Sequence, residues 1–251
     1  MLQKPMRLDL MLLAALLGLS LLNTKTLETF KRRKKHEWII DAVSLGCYFI
    51  LVPAAQIAIG YSIYAFLIPQ FKGALILGWM GSLFALLITD YIWYWNHRLF
   101  RAQTPLWRLH TVHHESKELD FFASQRNSVW SFPFMIYFWV SRLILFLAKD
   151  PFPFLTLASV GALINFWGHT NLFVAPGLTK RIFSLFLIQP ENHFWHHSAE
   201  NPNCNFATLF NFWDKLHGNW YSPGTLPTQL GYESKMPLWR KVIFPVDANH
   251  G

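Results

Sequence analysis

Residues 90–114 read DYIWYWNHRLFRAQTPLWRLHTVHH, and residues 190–197 read PENHFWHH. Both stretches end in one pattern, H-x-x-H-H, at His110, His113 and His114 and again at His193, His196 and His197. Residues i, i+3 and i+4 of a helix share a face. Three neutral imidazoles on such a face either hold one metal ion or bridge a pair. Two triplets facing each other, with His97 and His169 closing the cage, offer a nitrogen-rich site far larger than one zinc ion needs. So many imidazoles suit two six-coordinate ions, and iron is the first-row metal whose open imidazole sites carry oxygen chemistry. Burying both triplets without metal would strand their polar nitrogens. His36, His217 and His250 read as packing or surface residues.

The flanks of the histidine blocks are apolar. A helix crosses a bilayer with about 20 mostly apolar residues, and the stretches 38–59, 74–95, 129–148 and 152–173 meet that length. Pro53 predicts a kink in the first. The leading run 8–22 is shorter and contains Asp9. No small-residue cleavage site follows it, so it reads as a retained span or an interfacial helix. The stretch 61–71 reads as an outer-face hairpin loop. Lys25, Lys31, Arg32, Arg33, Lys34 and Lys35 crowd between two apolar runs and, by the positive-inside rule, belong in the cytoplasm. Counting spans from there puts both dense histidine regions on the cytoplasmic side.

Composition agrees. Of 251 residues, 53% are hydrophobic and only 14% charged, against about 25% charged in ordinary soluble domains. The mean hydropathy is only +0.23, so part of the chain faces water. The net charge of +8 follows from loop lysines and arginines rather than from a nucleic-acid partner. Cys47 and Cys204 make no disulfide framework. The expected fold is therefore all-α: an integral-membrane bundle of four to five spans with a cytoplasmic helical cap carrying the histidines. Its expected parts are 1–95, membrane spans and a basic loop; 96–218, the catalytic region with a membrane hairpin; and 219–251, an irregular tail.

Metal-bound histidines usually donate their second N–H to a carboxylate or carbonyl. Asp90, seven residues before His97 on the same helix face, is the leading candidate for such a partner and for a catalytic carboxylate. Asn171, Asn192, Asn205 and Asp214 are weaker ones. Phe121, Phe122, Trp130, Phe166 and Trp167 could line an apolar substrate site.

These blocks, with His169-Thr170-Asn171-Leu172 and Trp213-Asp214 following in order, resemble the fatty acid hydroxylase superfamily, which includes sterol desaturases and sterol methyl oxidases. The likeness runs from about Asp90 to Gly218. It implies a cytoplasm-facing di-iron centre held by His97, His110, His113, His114, His169, His193, His196 and His197, and O2-dependent hydroxylation or desaturation of a lipid carbon chain. Family members usually carry His-Arg-Leu-x-His where this chain has His97-Arg98-Leu99-Phe100-Arg101. Arginine cannot donate a lone pair to iron. The site then runs one ligand short, or Asp90 or water substitutes, or catalysis has been lost. No G-x-G-x-x-G fingerprint occurs, so electrons would come from a separate ferredoxin- or cytochrome-type donor. A zinc-dependent membrane hydrolase is the competing reading, although H-E-x-x-H is absent; a non-catalytic or altered-metal member of the fold is another.

Overall fold

A computed structural model describes residues 3–232 and 236–243; His250 lies outside them. Among the described residues the chain is helical, joined by turns and isolated bridges. Helix α1 (Gln3–Leu22) turns into α2 (Thr24–Arg32) with a bend of 77°. Asn23 makes the corner, its side chain accepting from the Thr26 amide as an N-cap.

Next comes α3 (Lys35–Leu67), 33 continuous helical residues and the one unbent helix, among those described, long and apolar enough to cross a membrane. This corrects one expectation: residues 61–67, expected in a loop, extend the helix. Pro53, where a kink was expected, lies within it without ending it. The reason is local: π turns at Cys47–Leu51 and Gln56–Tyr61 bracket Pro53, and a widened turn absorbs the missing N–H and the ring clash that proline imposes. Most of this helix is exposed, including Phe49, Ile50, Ile57 and Phe66. So large an apolar face needs a non-aqueous neighbour.

Helix α4 (Gly78–Ala102) is the hub, packed against α5 (Thr104–His114), α6 (Ile136–Leu147) and α7 (Phe152–Gly168). It starts later than expected and runs past residue 95, so His97 sits inside it. The expected span 129–148 is split. Pro133 lies in a 3-10 segment, Val129–Phe134, and only Ile136–Leu147 is α-helical. At 12 and 17 residues, α6 and α7 are shorter than a full span of about 20. Residues 73–75 pair with the end of α6 through Gly73 N–H to Phe146 and Leu75 N–H to Leu147.

Short helices follow from residue 174 among the described residues. Helix α8 (Leu178–Phe186) exposes Leu178, Ile182, Leu185 and Phe186. Helix α9 (Pro190–His196), α10 (Phe212–Leu216) and α11 (Leu238–Ile243) follow. A small core of Tyr94, Ile188, Phe206 and Ala207 ties α4 to this segment.

Candidate metal centre

Both triplets occupy the last turn of a helix: His110, His113 and His114 end α5, and His193 and His196 end α9 with His197 as its C-cap. His97 comes from α4, and His169 caps the end of α7. All of them are buried. They converge into two tetrads, His97/His110/His114/His196 and His113/His169/His193/His197, whose ligand nitrogens lie within 4.8 Å of one another in each group. Each triplet is divided. Its i and i+4 members join one tetrad and its i+3 member joins the other, so the two helices clasp two points between them.

Hydrogen bonds fix the ring orientations. His97 Nδ1 donates to Phe206 O at 2.7 Å, His113 Nδ1 to Arg126 O at 3.1 Å, His169 Nδ1 to Asn165 O at 2.9 Å and His196 Nδ1 to Cys204 O at 2.8 Å. A carbonyl only accepts, so these rings carry their proton on Nδ1 and present a bare lone pair at Nε2. Yet His196 Nε2 faces His97 Nε2 at 3.0 Å, and His169 Nε2 faces His113 Nε2 at 3.4 Å. Neutral rings of that tautomer have no proton to share there. Burial, with repulsion from neighbouring histidines and Arg101, holds His110, His114 and His196 well below the usual imidazole range; burial and neighbouring histidines do the same to His193 and His197. Burial likewise depresses His113. Facing lone pairs on neutral rings fit a cation between them, so the donor set suits two metal ions.

The ring partners are backbone carbonyls, not the carboxylate and amides expected. Asp90 accepts from Trp213 Nε1 at 2.8 Å and from the Phe210 amide at 3.3 Å. It thereby anchors the 206–214 segment to α4. Asp214 accepts from the Phe206 and Ala207 amides at 2.8 and 2.9 Å, and burial pushes it up to about 6. Because Phe206 O receives His97, both aspartates position the ring through backbone. Asn205, at φ 51°, donates to Asn192 O and Tyr221 O; Asn192 bonds Gln189 and Ser222, and Asn171 donates to Leu119 O. His217 bonds Tyr91 OH at 3.2 Å, and His36 borders a polar cleft with Arg32 and Glu37.

Arg101 donates to Pro202 O at 2.8 Å and lies over the Trp107 ring at 4.1 Å. It ties α4 to the loop after α9 and leaves each tetrad with four histidines. Three features escaped the sequence reading. Arg126, whose carbonyl holds His113, is locked by Asp41 at 2.6 Å, and Asp41 pairs with Arg33, which pairs with Asp120. Gly231 N–H donates to His197 O and Tyr232 N–H to His114 O, both at 3.0 Å, a strap across the ends of both triplets. Finally, a cavity of about 310 Å³ lies between α3, α4, α6 and α7, walled by Tyr48, Leu86, Phe138, Leu145 and Phe154. None of the five aromatic residues expected as lining borders it. It shares Trp93, Gln125, Tyr137, Asn165 and Thr208 with a 30 Å³ chamber that touches His97, His110, His113, His169 and His193.

The comparisons with known proteins point the same way. The chain is 32% identical over 141 residues to an ornithine lipid hydroxylase of Rhizobium tropici, covering 55% of this chain and 41% of that protein. It is 28% identical to an alkylglycerol monooxygenase of Caenorhabditis elegans, over 53% of this chain and 26% of the relative. Against cholesterol 25-hydroxylase of Homo sapiens the identity is 30%, over 61% of this chain and 55% of the relative. The chain thus matches between about a quarter and just over half the length of these relatives. No solved structure matches it. The fatty acid hydroxylase model matches residues 82–219, more than half of the chain and every histidine of the two tetrads, and the chain belongs to that family.

Proposed function

We propose that this chain is a multi-pass membrane oxygenase that hydroxylates, or desaturates, a lipid held in the cavity beneath two irons, one per tetrad. The observation that carries this reading is the pair of four-nitrogen groups, in each of which two rings face each other Nε2 to Nε2 with no proton between them. Two ferrous ions bound there would supply O2 activation and the oxidising power for an unactivated C–H bond. The chain supplies the rest. Neutral imidazoles present their lone pairs, and carbonyls of residues 126, 165, 204 and 206 hold those rings in register. The apolar walls exclude water and present one carbon toward the tetrads. Electrons come from a separate ferredoxin- or cytochrome-type donor.

We place across the bilayer α3 and, although it is less apolar, the first part of α4; α6 and α7 form a short hairpin within it, and the apolar face of α8 rests on its surface. The metal centre lies on the cytoplasmic side, beside the basic residues of α2. The catalytic region, 96–218, draws its upper wall from the strap at 231–232, so the segment after 219 belongs to the same unit.

A zinc hydrolase needs a carboxylate base beside the metal. Glu115, the nearest in sequence, is paired with Lys241, and Asp90 is occupied by Trp213 and Phe210. Metal analysis of the purified protein tests the proposal: two irons per chain are expected, one for each tetrad. One zinc, or only traces of metal, would overturn it. Lipid mass analysis of cells with and without the protein should show a gain of one oxygen or a loss of two hydrogens.

A further inference from the structure

Arg142 stands in the apolar run of α6, where a cation is expensive and is kept for a purpose. The residue lines the 310 Å³ cavity. Nε and Nη2 donate to Gln56 Oε1 of α3 at 3.0 and 2.8 Å. No carboxylate pairs with it among the described residues. Asp90 borders the same cavity, but its Oδ2 accepts from Trp213 and Phe210, and it forms no ion pair with Arg142. A neutral amide therefore holds the cation in place and leaves its charge uncompensated.

Gln56 occupies the Nε side of the guanidinium. The end-on fork, formed by Nη1 and the second hydrogen of Nη2, is not used by those two bonds to Gln56. That fork matches the two oxygens of a carboxylate. An ammonium would be repelled, and an alcohol would leave the charge unbalanced; a phosphate suits the same fork but brings a second negative charge, and Arg142 is the single cation among the residues lining the cavity. From Arg142 the cavity wall runs to Tyr137, five residues earlier on α6 and about 7.5 Å of helix rise away, where the chamber under the histidines begins. Along α7 it extends from Leu155 to Asn165, about 15 Å of rise.

We propose that Arg142, held by Gln56, anchors the carboxylate of an alkyl-chain ligand whose tail runs past Tyr137 toward the tetrads. The distance from anchor to metals then decides which carbon is presented. This rests on reading the cavity as the substrate site, and it assigns the ligand's polar end to a residue outside the metal centre. A merely structural tie between α3 and α6 would not make the protein choose among head groups.

The test uses the full chain, stripped of metal, in nanodiscs of zwitterionic lipid, with dodecanoate, dodecanol, dodecylamine and dodecyl phosphate as probes. Calorimetry should show dodecanoate binding at least tenfold more tightly than each of the others. Arg142→Gln should remove that preference. Wild-type protein that binds dodecanol or dodecyl phosphate as tightly as dodecanoate would overturn the assignment, as would a preference that survives in Arg142→Gln. Should the variant fail to fold, the wild-type series alone decides. Because no metal is used, the outcome is separate from the oxygenase proposal: a carboxylate preference in a protein that holds no iron would refute that proposal and leave this one standing. Iron and product without the preference would do the reverse.

Discussion

At the scale of the residue, the centre depends on imidazoles that are neutral before any metal arrives. An ordinary imidazole titrates near 6.5; those of His110, His113, His114, His193, His196 and His197 are depressed by burial. In metal-free protein the unfolded chain therefore binds more protons than the folded one once pH falls below about 6.5, and the folded state loses stability there. Thermal unfolding of the stripped protein should show a Tm that falls between pH 7.5 and pH 5.5; a flat profile would mean these rings are not buried neutral. His196→Ala removes one donor and leaves three in its tetrad. It should lose about one iron per chain and all product while the protein stays in the membrane fraction, and full activity would remove the triplet from the mechanism. Arg101→His is expected to leave iron content unchanged, since four histidines already surround that position's tetrad. A rise in bound iron would reveal a vacant coordination place that Arg101 covers.

At the scale of the element, the spacing of each H-x-x-H-H block made the helix face legible, and His169 could be placed at a helix end from the apolar length before it; His97, expected just past a span, lies inside α4. The division of each triplet between two sites was not legible. It depends on how α5 and α9 oppose one another, which spacing along one helix does not encode. Asp90 shows a similar limit: a seven-residue interval put it on the His97 face, but the competing donor, Trp213, lies 123 positions away. Pro53 lies inside α3, where π turns accommodate it, and Pro133 sits in a 3-10 segment that the apolar run around it did not announce. The strap was invisible for the same reason, being backbone bonding between distant segments. Its Gly231 has φ 75°, and a Cβ there would sit 2.6 Å from Ser116 O. Gly231→Ala should cost about 2 kcal/mol or more and weaken metal retention at both tetrads together, measurable as denaturant midpoint and iron content. Loss at one tetrad alone would show that the strap does not couple them.

At the scale of the whole molecule, the basic N-terminal helices reach the metal centre through buried ion pairs. Arg33, Asp41, Arg126 and Asp120 form a buried ion chain that links α2 and α3 to the carbonyl holding His113. Removing one member of a buried pair leaves an uncompensated charge, at about 3–5 kcal/mol. Asp41→Ala should therefore destabilise the fold by that amount and lower iron affinity by about 10- to 100-fold, chiefly at the tetrad of His113. Stability falling with metal affinity intact would sever this link. The overall fold class, helical with a long apolar segment, was readable from composition and run lengths; the lengths of α6 and α7 were not, since a continuous apolar run hides where a 3-10 turn interrupts it. Neither tetrad is contained in any short stretch of chain: one needs positions 97 to 196 and the other 113 to 197, and the backbone clasp over both is made at 231 and 232. A ribosome must therefore deliver the chain through His197 before both pockets have their donors, and through Tyr232 before both are strapped. Any metal that fills these sites would then enter late in the birth of the chain, and a nascent chain arrested before residue 193 should emerge without a complete cage for either ion.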